Sequence, residues 1–433
     1  MRILFCCQFY APSVGGVQEV MRQLAERLVA RGHQVTVATT ALVSRNFTDL
    51  NGVKICEFDV SGNLVSGMTG EIDLYRNFIL QNNYDVIMIK AAQQWTFDAI
   101  WPLLDEIKPA KVFIPCGFSG MYEPGYTEYF LNMPAILRKF DHLIFYATQY
   151  RDIDFAREHK MDHFSIIPNG ASEIEFNVPA DHTFKSRHEI APNSFVFMTV
   201  GSFTGLKGHL ELVNSFALME FPDGMHATLI LNGNDSSSSV LVGAGIVTRL
   251  LGAVKIYGWQ YALKSAAKRV LFKAGFNVGK AVAPQSIALQ INQRFKDRRV
   301  IVSNFNRDEL VQAYMATDLF VFASNIEYSP LVLFESTAAG TPFLTVTVGN
   351  SEEIAAWTGA GLICSSYKDK KGYTRVHQAD LAREMERTML DKNRLIEMGA
   401  TGRRNWKEKF TWEKISHEYE QVFVSLMRNI SAK

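Results

Sequence analysis

The sequence predicts an α/β protein built from two doubly wound domains, and three observations lead there. The chain opens strand–loop–helix–strand, over Arg2–Phe9, Ala11–Gly16, Val17–Arg31 and Val35–Thr39. Its second half starts the same way, with strand Phe195–Val200, the glycine-lined loop Gly201–Gly208 and helix His209–Met219. Its 433 residues also exceed what one hydrophobic core usually holds. Composition agrees, at 47% apolar and 21% charged. A formal net charge of +1 argues against a nucleic-acid partner. The five cysteines are odd in number and form no C-x-x-C, which disfavours a disulfide scaffold or a zinc site and fits a reducing cytoplasm. The apolar part of MRILFCCQFYAP is too short for an ordinary signal peptide, and no apolar run reaches the ~18 residues of a membrane span.

In the first helix Val20, Leu24 and Leu28 share a face, and Gly32 ends it. Gly15 and Gly16 at its mouth make a tight turn or let backbone approach a phosphate or sugar. They do not form G-x-G-x-x-G, which disfavours an NAD-dependent enzyme. Gly52–Phe58 and Asn83–Lys90 read as strands, with helix Glu71–Gln81 between them. Strand Lys111–Pro115 leads into Cys116-Gly117, where an isolated cysteine is usually a small buried group. Leu143–Ala147 is a strand and Thr148–Arg157 a helix. Asp152 and Asp154 therefore lie in a helix, not at a strand end where a metal-binding acidic pair is expected, and no metal site is assigned. Phe164–Pro168 is the last strand of domain 1–178, and Asn169-Gly170 turns the chain. The polar stretch Asn177–Asn193, with Pro179 and Pro192, supplies a linker at 179–193, and the second domain runs over 194–412.

Lys207, in a glycine-lined loop before a helix, is suited to grip a diphosphate, or is a solvated surface lysine. The G-K-[ST] of a P-loop is absent. After strand Ala227–Asn232 comes an unusual insert over about 240–295. Arg249–Lys296 holds nine Lys or Arg and no Asp or Glu. Trp259, Leu263, Ala266, Val270 and Ala274 recur there at helical spacing beside Lys264 and Lys268. Such a helix suits an anionic membrane surface, the cover of the domain core, or an oligomer contact. Strand Arg299–Ser303, the loop with Asn304, and helix Asp308–Ala316 follow.

Strand Leu319–Ala323 then enters SNIEYSPLVLFESTAAG, residues 324–340. Pro330 fits the first turn of a helix whose apolar face is Leu331, Phe334, Ala338 and Ala339. Gly340-Thr341-Pro342 stops it, and Phe343–Val348 is the next strand. The turn through Ser329, Pro330 and Leu331 offers free N–H groups to an anion. Glu327 precedes that turn and Glu335 follows it. A ligand with phosphate in its middle and hydroxyls at both ends suits the pair, and a nucleotide sugar is such a ligand. Both acids also fit as ordinary acids near a helix start. Helices Asp380–Leu390, Asp391–Arg404 and Trp412–Met427 complete the chain.

This stretch resembles the signature of the retaining glycosyltransferases of family 4. That signature is two glutamates with seven residues between them and then A-x-G-x-P, here Glu327, Glu335 and Ala338-Ala339-Gly340-Thr341-Pro342. R-G-H-x-V-T-V at Arg31–Val37 and I-P-N-G at 167–170 add to the likeness, which covers most of the chain outside 240–295. The resemblance implies the glycosyltransferase B fold: two Rossmann-like doubly wound domains facing across a cleft, with 413–433 a helix crossing back to the first. It implies that Lys207 and Glu327 are catalytic, Lys207 on the diphosphate and Glu327 on the sugar. It places Glu335 on the ribose and Asn304 near the base. Gly16, Gly201, Ser202, Ser329, Pro330 and Leu331 complete the donor side, and Gly15, Gly16, Cys116 and Gly117 lie on the acceptor side. Two positions depart from the family: Cys116-Gly117 stands where a histidine is frequent, and Ser202 where an arginine is frequent.

The implied reaction is retaining transfer of a sugar from a nucleoside diphosphate sugar to a hydroxyl. UDP is favoured over GDP or ADP, and the acceptor is a saccharide or lipid-linked saccharide in cell-envelope polysaccharide or glycolipid synthesis. No permanent cofactor and no metal are implied. The setting is cytoplasmic, or peripheral on the inner membrane face through 249–296. Three alternatives share the fold: a nucleotide-sugar epimerase, a phosphorylase with a pyridoxal phosphate lysine, and a transferase-like subunit that binds sugar or a partner without turnover.

Overall fold

The computed structural model describes residues 1–233 and 284–431. By internal contacts the chain divides into two units, Met1–Pro168 with the segment from Glu413, and the remainder between Asn169 and Trp412.

The first unit is built on an eight-stranded sheet. Its order is Phe164–Ile166, His142–Phe145, Ala110–Ile114, Val86–Lys90, Arg2–Cys6, Gln34–Thr40, Val53–Phe58 and Asp49–Leu50. All pairs are parallel except the last, short edge. Strand order reverses between Arg2–Cys6 and Val86–Lys90, the mark of double winding. Ile3 to Cys6 and Val86 to Lys90 are buried throughout, as strands covered on both faces must be. The opening strand stops at Cys6, not Phe9. After the Cys7 N–H reaches Ala38 O at 3.2 Å, the chain turns through Tyr10–Ser13.

The helix Gly16–Ala30 buries Val20, Leu24 and Leu28, as its spacing predicts. A hairpin, Val60–Asn63 with Gly67–Gly70, was not expected. It closes because Gly62 has no side chain: a Cβ there would lie 1.9 Å from Gly67 O. The last helix, Trp412–Ser431, joins this unit, where Glu420 meets Arg31 at 3.1 Å and His33 at 2.7 Å.

Asp98 gives this unit a pH dependence. It is 1% exposed and accepts from Tyr129 Oη at 2.7 Å and Leu64 N at 2.9 Å. Burial raises its carboxyl from 3.8 to about 6 despite those bonds. The folded state therefore prefers the protonated form. That contribution is full below the unfolded value and is lost as pH rises through the folded one, at about 1.4 kcal/mol per pKa unit. Asp98→Asn should flatten this fall between pH 4 and 7 in urea unfolding. Parallel pH profiles for the two proteins would contradict the assignment.

The second unit carries six parallel strands, in the order Arg298–Ser303, Ala227–Asn232, Phe195–Val200, Leu319–Phe322, Phe343–Val346 and Gly361–Cys364. Its order reverses between Phe195–Val200 and Leu319–Phe322. The stretch expected as a linker contains the short helix Phe184–Arg187 and packs within this unit. Phe184 is buried, Asp181 N donates to Gln312 Oε1 at 2.7 Å, and Arg187 pairs with Glu309 at 2.9 Å. The described end of the basic stretch is helix Pro284–Arg294, which buries Ala288 and Ile291 against the same core. The rest of that stretch, including Trp259–Ala274, lies outside the described residues.

The helix after the glutamate loop runs over Leu331–Ala339. Leu333 through Ala338 are all buried, while Leu331 and Ala339 are half-buried. Burial is wider than one apolar face because helix Lys392–Lys409 covers the second side, where Arg403 donates to Ala338 O at 2.8 Å. A polar side chain on this helix therefore needs partners inside the protein.

Candidate active site

In a doubly wound sheet, ligands bind at the carboxyl ends of the strands where the order reverses. In the second unit that point lies between the loops after Phe195–Val200 and Leu319–Phe322. These loops are tied together. Asn325 N donates to Leu206 O at 2.9 Å, and Asn325 Nδ2 reaches Glu211 at 3.0 Å and Thr374 O at 3.1 Å. Arg375 closes the network on Glu211 and Asn325, both at 2.9 Å. The loops approach this closely because residue 208 is glycine, with φ +73 and a would-be Cβ 2.0 Å from Ala323 O. Gly208→Ala should therefore destabilise the unit by at least about 2 kcal/mol. Unchanged urea unfolding would contradict that reading.

The two loops bring Lys207 and Glu327 together, 120 positions apart in sequence, with Nζ 2.5 Å from Oε1. The side chains are 29% and 18% exposed, so the pair is within reach of a ligand. Gly201 lets the lysine stem pack close, since a Cβ there would lie 3.1 Å from that of Lys207. Ser202 follows, half-buried. His209 opens the next helix, buried with its ring 4.6 Å from that of Phe203. Burial, then the Lys207 charge, pushes this imidazole down to about 4, so at neutral pH His209 adds no charge to the loop.

The loop from Glu327 runs into the helix N-terminus at Pro330. Helix geometry leaves the first N–H groups, Leu331 and Val332, without intrahelical acceptors. Asn169, from the I-P-N-G motif, donates to Ser329 O at 3.0 Å and so ties down the turn that carries them. Ser329 Oγ and Asn169 Oδ1 are buried with no hydrogen-bond partner among the described residues. One turn on, Glu335 is 7% exposed. Its Oε2 accepts from Tyr314 Oη at 3.1 Å, and its Oε1 lies 2.7 Å from Arg307 Nη2. Burial opposes the Arg307 charge, but the Glu335 and Glu175 carboxylates outweigh it and hold the guanidinium above its ordinary value. Asn304 is exposed on the loop after Arg298–Ser303, the far edge strand of the sheet. Lys207, Glu327 and the 329–331 turn thus gather at the switch point, Glu335 lies deeper on the helix, and Asn304 sits on a separate loop.

Gly15, Gly16, Cys116 and Gly117 lie in the first unit, Gly15 and Gly16 at the cap and first residue of helix Gly16–Ala30, Cys116 and Gly117 on the loop after Ala110–Ile114. Cys116 has φ +63, and Gly117 N donates to buried Asp152 at 2.7 Å. Asp152, in helix Arg151–Glu158, therefore anchors this loop. Burial pushes the Cys116 thiol up, which disfavours its thiolate form. Sequence reading missed Lys90 beneath this loop, because it ends an otherwise apolar run. It is 1% exposed, donates to Tyr146 Oη at 2.5 Å, and is pushed down to about 8 by burial. Sequence reading also misses Asn169, seen only as part of I-P-N-G, and Arg307, which carries no motif. Among the described residues, no three His, Cys, Asp or Glu are grouped to hold a metal, and no helix is long and apolar enough to cross a membrane.

The two units and their switch points define the glycosyltransferase B architecture. The chain superposes on sucrose-phosphate synthase from Thermosynechococcus elongatus with a TM-score of 0.68 at 16% identity, over 99% of both chains. Against Anabaena HepE, solved with UDP, the TM-score is 0.66 at 14% identity, over 98% of this chain and 100% of that one. At such identities the likeness establishes the fold. In sequence, residues 274–403 match the model of the glycosyl transferases group 1, a span that includes Arg307, Glu327 and Glu335. Over 122 residues the chain is 29% identical to D-inositol 3-phosphate glycosyltransferase of Streptomyces bingchenggensis. That match spans 28% of this chain and 25% of the relative's own length.

Proposed function

We propose that the protein transfers a sugar from a nucleoside diphosphate sugar to a hydroxyl acceptor, with retention at the anomeric carbon. The observation that carries this reading is the Lys207–Glu327 pair at the switch point, beside the helix N-terminus at Leu331. A cation and free N–H groups suit a diphosphate, and an adjacent carboxylate suits the sugar attached to it. UDP is the favoured nucleotide, supported by the HepE structures with UDP and with UDP-glucose.

In this scheme the bond from the anomeric carbon to the phosphate oxygen breaks, and the diphosphate keeps the electron pair. Lys207 and the Leu331 and Val332 N–H groups offset that charge. Glu327 stabilises the positive charge left on the sugar. The acceptor oxygen bonds to the same face, and its proton passes to the departing phosphate oxygen. Glu335 accepts from the ribose hydroxyls, with Asn304 towards the base. No metal enters the scheme. The first unit, through Gly15, Gly16, Cys116 and Gly117, serves the acceptor. The family resemblance points to a cell-envelope saccharide or glycolipid, with residues 249–296 docking on anionic lipid.

A thermal-shift screen of UDP-, GDP- and ADP-sugars, followed by NMR of products with candidate acceptors, tests the reading. The expected result is stabilisation by a UDP-sugar and a product of unchanged anomeric configuration. Stabilisation by none of them would overturn the donor assignment, and an inverted product would overturn retention.

A further inference from the structure

We infer that Arg307 is a positioning residue that holds Glu335 ready to accept from a vicinal diol, and so sets a preference for ribonucleotide over deoxyribonucleotide donors. The inference rests on the donor reading above. Arg307 is the first residue of helix Arg307–Met315, reached from strand Arg298–Ser303 through the 304–306 loop. Asn306 caps this helix, accepting from Glu309 N at 2.9 Å, and so fixes the turn from which the arginine leaves.

The guanidinium stands between two carboxylates. Nη2 is 2.6 Å from Glu175 Oε2 and 2.7 Å from Glu335 Oε1, and Nε is 3.1 Å from the same Glu175 oxygen. One edge is thus gripped by Glu175 and the shared nitrogen faces Glu335. On the other oxygen of Glu335, Tyr314 donates at 3.1 Å. A carboxylate on a helix buried from Leu333 to Ala338 is costly without a close cation. Arg307 offsets that cost, and together with Tyr314 it leaves the carboxylate one orientation. An ionised carboxylate has about four acceptor sites. Its remaining sites can only accept, so they match the two O–H groups of a diol and gain nothing from a deoxy sugar. A deoxy ligand would cover the carboxylate without pairing it.

Isothermal titration of the full chain with UDP and with 2′,3′-dideoxy-UDP tests this, because both carry the same diphosphate. The wild type should favour UDP by roughly tenfold or more. Arg307→Met should bring the ratio close to one, and Arg307→Lys, which keeps the charge but not the fork, should fall between. In a Glu335→Gln background, Arg307→Met should change the ratio no further. A wild-type ratio in Arg307→Met would overturn the inference, as would an equal effect of Arg307→Met with and without Glu335. Should Arg307→Met fail to fold, Arg307→Lys decides, and a wild-type ratio there counts against the role. A wild type that binds none of UDP, GDP and ADP overturns the donor reading itself, and the inference with it.

Discussion

Glu327→Gln should slow turnover by roughly 100-fold or more without weakening nucleoside diphosphate binding. The substitution keeps the shape of the side chain and removes its charge. In the proposed reaction that charge matters most when the bond to phosphate has opened and the anomeric carbon is positive, so the loss falls on kcat. The 2.5 Å contact with Lys207 adds a second consequence. On the proposed donor reading, Glu327 holds the ammonium that a diphosphate would need. Removing its charge releases Lys207 and takes a like charge away from the phosphates, so UDP should bind at least as tightly as to the wild type. Steady-state kinetics with direct UDP titration separate the two effects. Normal turnover, or a loss of UDP affinity as large as the loss of rate, would contradict this role.

Lys207→Ala should have the opposite signature. A charge-assisted bond to phosphate is lost, which by itself weakens donor binding roughly 10- to 100-fold. The Glu327 charge then stands beside the phosphates without the Lys207 ammonium against it, so the loss should lie at the upper end. Sugar departure should slow as well, because the leaving diphosphate has lost its cation. The two residues touch, so their effects should not add. Lys207→Ala combined with Glu327→Gln should bind UDP better than Lys207→Ala alone, since the repulsion is gone, and should still turn over poorly. Unchanged donor affinity and rate in Lys207→Ala would put the diphosphate elsewhere.

Much of this site is legible in the sequence because its parts are local. The glycines around Lys207 mark a loop between a strand and a helix, and Pro330 marks a helix start after Glu327. Each is a signal a few residues long. Their meeting is not legible, because nothing within either loop says that strands Phe195–Val200 and Leu319–Phe322 are neighbours in the sheet. Double winding supplies that adjacency once the strands are counted. Arg307 was missed for a related reason. A cation in the first turn of a helix reads as solvated, and only the fold brings Glu175 and Glu335 to either side of it. The hairpin at Val60–Gly70 was missed because Gly, Ser, Thr and Asn fill most of its two strands and its closure depends on a backbone contact at Gly62. The helix at Leu331–Ala339 was found, but its burial on two sides depends on helix Lys392–Lys409, far along the chain.

The central claim is that the switch point of the second unit holds a diphosphate by taking Lys207 from Glu327. A crystal structure of the chain with UDP tests it most directly. The expected result places a phosphate oxygen in hydrogen-bond range of Lys207 Nζ and of the Leu331 or Val332 N–H, with the 2.5 Å Lys207–Glu327 contact broken. UDP bound elsewhere, or bound here with that ion pair intact, would contradict the account.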